Sequence, residues 1–149
     1  MNNEKDIIIP QRYSRRAFFS IPFLLLTFYC AYLRKFYRVT TILPFLLITS
    51  ILHWNKLQNK SIHKADIFMV VLTILSIDSY SIHFRLIDKL LWRFSLCVSS
   101  IAYIINKYVI KDPIQKVYIH MIFIHMFSGV FSSIAIYNSS IKMIIKNKK

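Results

Sequence analysis

Glycine is nearly absent from this sequence, since Gly129 is the only one among 149 residues. Loops that bind phosphate groups or dinucleotides need several glycines, because only glycine lets the backbone approach a ligand closely. The standard nucleotide-binding motifs are therefore excluded. Cysteine is also scarce: Cys30 and Cys97 lie inside apolar runs, at a spacing that fits neither a CxxC metal site nor a disulfide framework.

Charged residues are fewer than a soluble domain requires. They make up 17% of the chain and hydrophobic residues 56%, whereas soluble domains average about 25% charged and at most about half apolar residues. Acidic residues are the minority of the charged ones, with 6 Asp and Glu against 20 Lys and Arg, for a formal net charge of +14. The basic residues stand in small groups between long apolar runs, rather than on one arm as in a nucleic-acid binder. This distribution predicts an integral membrane protein that contacts the bilayer and its anionic headgroups, and no nucleic acid.

The apolar runs predict an all-α fold, a polytopic transmembrane bundle of about five helices. Each run is close to the roughly 20 residues that a helix needs to cross the hydrocarbon core. The first run lacks a convincing small-residue cleavage site after it, so we expect an uncleaved span, or four spans if this run lies in the interface. The predicted spans are 17–33, 39–54, 66–84, 86–106 and 117–137, between a basic polar tail at 1–16 and a basic tail at 138–149.

Polar side chains inside these spans are the candidate functional residues, because ionisable groups are costly in hydrocarbon. The second and third spans are joined on one side of the membrane, and the fifth span begins on that same side. We therefore expect five polar side chains near one membrane surface: Ser50, His53, Asp66, His120 and His125.

This set of side chains predicts a zinc-dependent hydrolase. Three imidazoles with an open fourth position are typical ligands of a catalytic zinc ion, which suggests His53, His120 and His125 as ligands. A neighbouring carboxylate, here Asp66, would act as the general base. A hydroxyl group, here Ser50, would donate a hydrogen bond to the oxyanion that forms on a carbonyl substrate.

The order of these residues resembles that in the superfamily of alkaline ceramidases, adiponectin-type receptors and related membrane hydrolases. Its members carry a Ser and a His one helical turn apart in an early span, an Asp at the start of the next span and paired His in the last. The corresponding segments here are ILPFLLITSILHW, HKADIFMV and YIHMIFIHMF. The resemblance implies a helical membrane fold, a zinc cofactor and a lipid amide or ester as substrate. The chain also looks like small multi-pass proteins of protists and large DNA viruses.

The spacing differs from the family pattern at two places, and the family has seven spans against five here. The family has Ser-x3-His, whereas Ser50 and His53 are separated by two residues, so Thr49 is the alternative hydroxyl. The family's final pair is His-x3-His, whereas His120 and His125 are five positions apart, about 140° around an α-helix. A π-bulge would bring these two imidazoles to one face.

Each candidate residue also has a structural interpretation. His53, next to Trp54, is typical of an interfacial residue. Asp66 could be the N-cap of its helix. His120 and His125 could be hydrogen-bonding partners in the core. On these interpretations the protein is a non-enzymatic structural or assembly component of a viral or organelle membrane.

Asp78 is the one acidic residue expected near the middle of the bilayer. Pairing with Arg93, or hydrogen bonds from serines of the fourth span, would offset the cost of its burial. We therefore predict a polar clasp between the third and fourth spans at Asp78, rather than a path for ions.

Overall fold

The computed structural model describes residues 15–55 and 60–139, and within those ranges the protein is helical, with no strand. The all-α prediction is confirmed. A 3-10 turn, Arg15–Ser20, leads into the first helix, and another, Ser81–His83, follows the third. The five helices are α1 (Ile21–Leu33), α2 (Tyr37–Asn55), α3 (Lys60–Tyr80), α4 (Leu86–Tyr108) and α5 (Pro113–Asn138).

Two helical segments in the described part of the chain are long and apolar enough to cross a membrane. They are Lys60–His83, which is α3 with its terminal turn, and α5, Pro113–Asn138. Phe18–Leu33 is a shorter apolar helix. The bundle of five spans thus stays a prediction, and the basic tails lie almost wholly outside the described residues.

The helix boundaries differ from the predicted spans at the site end of the bundle. The third helix begins at Lys60 rather than at Asp66, and the fifth begins at Pro113 rather than at 117. The Asp112 carboxylate accepts a hydrogen bond from Ile114 N at 3.0 Å, and Pro113 occupies the first helical position. Both are favourable helix starts. Hydropathy marks where a run becomes apolar, so it misses helical turns made of polar residues.

Many polar side chains are buried inside the protein and many large apolar side chains are exposed on it, which favours an apolar environment around the protein. Among the described residues, 13 buried side chains are polar or charged and 16 are hydrophobic. Large apolar side chains such as Leu75 and Phe94 point outward. Extensive exposed apolar surface of this kind marks contact with a membrane or with a protein partner.

Helices α1 and α5 pack closely because the residues between them are small. A Cβ atom added to Gly129 would lie 3.0 Å from Phe23 Cβ and 3.3 Å from Phe23 O. Thr27 Oγ1 lies 3.0 Å from Ser133 Oγ and donates a hydrogen bond to Gly129 O at 3.2 Å. Small residues and interhelical hydroxyls are typical of helix contacts in membranes.

A tight turn with left-handed backbone joins α1 to α2. Lys35 has a φ of 58°, and Phe36 N donates to Ala31 O at 2.9 Å, which closes the end of α1. Glycine usually occupies this conformation. Here a lysine occupies it instead, so the backbone of Lys35 is strained.

Helices α4 and α5 are joined by Asp88, at the end of the bundle opposite to the predicted site. The Asp88 carboxylate is 1% exposed and accepts hydrogen bonds from Arg85 Nε at 2.6 Å and from Asn138 Nδ2 at 3.1 Å. This contact was not predicted from the sequence, because Asn138 lies fifty positions after Asp88 in the chain.

The predicted clasp at Asp78 is present, although its depth differs from the prediction. Arg93 Nη2 of α4 lies 2.8 Å from Asp78 Oδ1, an ion-pair distance at which the N–H is not aligned as in a hydrogen bond. Asp78 is two residues before the end of α3, so it lies close to one end of the bundle rather than in its middle.

Candidate active site

The predicted site residues meet at one end of the bundle, where α2 ends and α3 and α5 begin. Because α2 and α3 are antiparallel neighbours joined by a short connection, the last turn of α2 faces the first turns of α3. A cavity of about 380 Å³ extends from this end into the bundle. Its polar end is lined by five titratable side chains: His53, His63, Asp66, His120 and His125.

Asp66 is held by two hydroxyl groups of α2. It lies inside α3, six positions after the first residue, so the N-cap interpretation is wrong. The buried carboxylate accepts a hydrogen bond from Ser50 Oγ at 2.6 Å and a longer one from Thr49 Oγ1 at 3.3 Å, both at Oδ1. Ser50 was predicted to donate a hydrogen bond to the oxyanion of a substrate. In the structure its hydroxyl donates to the Asp66 carboxylate and orients it.

His120 and His125 are brought together by a π-helical segment, His120–Phe127, within α5. A π-helix closes its hydrogen bonds between residues five apart, so side chains at this spacing lie above one another. The two Nε2 atoms are 3.0 Å apart and the ring centroids 4.8 Å apart. The π-bulge that the sequence pattern required is thus present, and it covers the histidine pair.

Trp54 lies beside the histidines, inside the protein. Its side chain is buried, with ring centroids 5.2 Å from His53 and 5.1 Å from His120. His53 is also buried, and its Nδ1 atom has no hydrogen-bond partner among the described residues. A buried ring nitrogen without a partner is costly, and a bound ligand would satisfy it.

His63 is a fourth imidazole at the site, and sequence analysis missed it because it falls in the polar stretch between two predicted spans. Its ring centroid is 4.7 Å from that of His53. The signal was its position three residues before Asp66, since residues three apart share one face of a helix. The remaining histidine, His83, lies at the opposite end of α3, away from the cavity lining.

A zinc ion requires ligand nitrogens at a defined separation. Two nitrogens at about 2.0–2.1 Å from a tetrahedral zinc ion lie about 3.3 Å apart. The 3.0 Å between His120 Nε2 and His125 Nε2 is within about 0.3 Å of this ligand spacing, and it is also a hydrogen-bond distance, as the core-partner interpretation predicts. Within residues 15–55 and 60–139, no group of three or more His, Cys, Asp or Glu side chains is arranged to hold a metal ion. A third imidazole, His53 or His63, would have to move toward the pair.

Beyond its polar end the cavity is lined mainly by aliphatic side chains and a few hydroxyl groups. Ile67, Ile74 and Ile77 of α3 line it, together with Leu24 of α1 and Leu46 of α2. A polar cluster at one end of an apolar cavity suits a molecule with a reactive polar head and an apolar tail. No protein-family model, curated protein or solved structure matches this chain.

Proposed function

We propose that this protein is an integral membrane, zinc-dependent hydrolase that cleaves an amide or ester bond of a lipid. The observation that carries the proposal is the histidine pair of α5, at ligand spacing, in the same cavity as a carboxylate held by hydroxyl groups. Metal ligands, a candidate base and an apolar tail site then share one cavity.

The proposal places all five helices across the membrane, with the site near one surface. The outward-facing apolar side chains support it, and so do the two segments long enough to cross. The formal charge of +14 favours contact of the basic loops and tails with anionic headgroups. The protein is expected to stay with the membrane in sodium carbonate, and its release into the soluble fraction would contradict this placement.

The chemistry divides among the residues of the cavity. A zinc ion held by His120, His125 and His53 would polarise the substrate carbonyl and acidify a water molecule to a pKa of about 7. Asp66 accepts a proton from the attacking water as the new carbon–oxygen bond forms. The same carboxyl group then returns that proton to the leaving nitrogen or oxygen as the scissile bond breaks.

Ser50 is a positioning residue in this scheme, because it acts through Asp66. Its hydrogen bond to Oδ1 at 2.6 Å fixes the carboxylate on the cavity side of α3. The apolar walls exclude bulk water and hold the lipid tail, so the scissile bond stays at the polar end.

Metal analysis of the purified full-length protein tests the proposal directly. The wild-type chain is expected to bind about one zinc ion, and His120→Ala and His125→Ala to lower zinc affinity by at least about a hundredfold. His83→Ala is the matched control, because His83 lies at the opposite end of α3 and should leave zinc binding unchanged.

Hydrolysis of palmitoyl amides and esters is the second measurement. A zinc chelator should abolish it, and added zinc should restore it. Wild-type protein that binds no zinc after reconstitution would overturn the proposal and leave the non-enzymatic membrane component as the surviving interpretation.

A further inference from the structure

The cavity continues far beyond the polar cluster. On α3 its lining runs from His63 to Ile77, fourteen positions or about 21 Å along the helix. A volume of about 380 Å³ is at the small end of the range for ligand sites. Because so small a volume extends along so much of α3, the cavity is narrow and suits one linear hydrocarbon chain rather than a two-chain lipid.

Trp92 closes the cavity at its far end. Helix α4 runs antiparallel to α3, so Trp92 near its start lies level with Ile77 near the end of α3. Both side chains are almost fully buried, at 1% and 2% exposure, and belong to one packed cluster that also includes Leu43. All three residues line the cavity as well. The cavity therefore ends where the packed core begins, with the indole ring as the largest group.

The cavity opens sideways between α3 and α4. Helix α3 packs along α2, and α4 packs along α5, but α3 and α4 hardly touch each other. The ion pair between Asp78 and Arg93 joins them at the far end. Ile67, Val71 and Ile104 line the cavity and are also exposed, as residues at the rim of such an opening would be.

We infer that the cavity binds a single unbranched hydrocarbon chain of a lipid, entering between α3 and α4, and that Trp92 sets the longest chain accepted. The inference rests on the proposed function for its membrane location and for the polar head at the histidines. From Asp66 to Ile77 the path is about 16 Å, close to half of the roughly 30 Å hydrocarbon core. The cavity is thus as long as one tail in one leaflet.

The two tryptophans of the chain allow a direct test, because Trp54 contacts the histidine cluster and Trp92 lies at the cavity floor. A palmitoyl amide brominated near its methyl end should quench Trp92 fluorescence in Trp54→Phe protein. The same amide brominated near the carbonyl should quench Trp54 in Trp92→Phe protein. Excess unbrominated amide should reverse both effects. Absence of reversible Trp92 quenching, or the opposite pattern, would overturn the inference.

Chain-length preference provides the second measurement. In Trp92→Ala, the affinity for a lignoceroyl amide relative to a palmitoyl amide should rise about tenfold, the effect of burying about two further methylene groups. Phe94→Ala is the matched control, since this aromatic ring lies on the outer face of the same helix. An unchanged preference in Trp92→Ala, or an equal shift in Phe94→Ala, would contradict the assignment of Trp92.

These measurements separate the inference from the proposed function, because binding and quenching need no turnover. A chain that binds and quenches Trp92 without being hydrolysed supports the inference and counts against the hydrolase. Hydrolysis without Trp92 quenching supports the hydrolase and overturns the inference.

Discussion

His120 Nε2 and His125 Nε2 lie 3.0 Å apart, although the two residues are five positions apart along α5. In a regular α-helix they would point about 140° apart. The π-helical segment His120–Phe127 brings them together. Such segments are rare and occur frequently at functional sites, and this one coincides with the histidine pair.

Moving one imidazole by a single position tests this geometry. In the double variant Ile124→His/His125→Ile, the histidines stand four apart, the spacing that suits an α-helix. If the segment is π-helical, the pair is lost and zinc affinity should fall by at least about a hundredfold, as in His125→Ile alone. Zinc affinity that recovers in the double variant would mean that the segment behaves as an α-helix.

If the protein is the proposed hydrolase, substitution of Ser50 should slow hydrolysis without removing the metal. Hydrogen bonds to charged groups are worth about 1.5–3 kcal/mol, so Ser50→Ala is expected to lower kcat/KM about tenfold or more, with zinc content unchanged. Thr49→Ala should have a smaller effect, because its bond to Asp66 is longer, at 3.3 Å. Ser50→Thr should restore most of the rate, and loss of zinc from Ser50→Ala would refute the positioning role.

The hydrogen bonds of Asp88 should contribute far more to stability than the ion pair between Asp78 and Arg93. Asp88→Ala leaves Arg85 and Asn138 without their buried partner and should lower the free energy of unfolding by about 2–3 kcal/mol. Arg93→Ala is the control: its side chain is 54% exposed and that of Asp78 33%, so less than about 1 kcal/mol is expected. Unfolding by SDS titration, followed by circular dichroism, measures both, and equal effects would contradict the ranking.

Replacement of Lys35 by glycine should stabilise the protein. A side chain in the left-handed conformation costs about 1–2 kcal/mol, and the φ of 58° places Lys35 there. Lys35→Gly is therefore expected to raise the free energy of unfolding by about 1 kcal/mol, while Lys35→Ala gives no gain because it keeps the Cβ atom. A lower melting temperature for Lys35→Gly than for Lys35→Ala would contradict this.

Sequence analysis located Ser50, His53, Asp66, His120 and His125 at one end of the molecule by chain topology alone. Consecutive helices with short connections alternate in direction, so the end of α2 and the starts of α3 and α5 must be neighbours. That reasoning is independent of side-chain packing, which is why it succeeded for these residues.

The same reasoning failed where a helix extends beyond its apolar run, and where a contact joins residues that are distant in the chain. His63 was missed because hydropathy assigned its segment to a loop, whereas α3 begins at Lys60. The contact of the Trp54 ring with His120 was not predicted, because the two residues are distant in the chain. The role of Asp88 was not predicted, because its donor Asn138 is fifty positions away in the chain.

The sequence by itself determined that the chain is helical, where its apolar segments lie and which polar residues share one end, because these follow from local composition and chain direction. Only the tertiary structure decided which side chains face each other. The hydrogen-bond register of α5 aligns His120 with His125, and the hydroxyl of Ser50 is directed to Asp66 by the packing of α2 on α3. The gap between α3 and α4, where the cavity opens, is not encoded by any local pattern. It arises because α3 packs along α2 whereas α4 packs along α5.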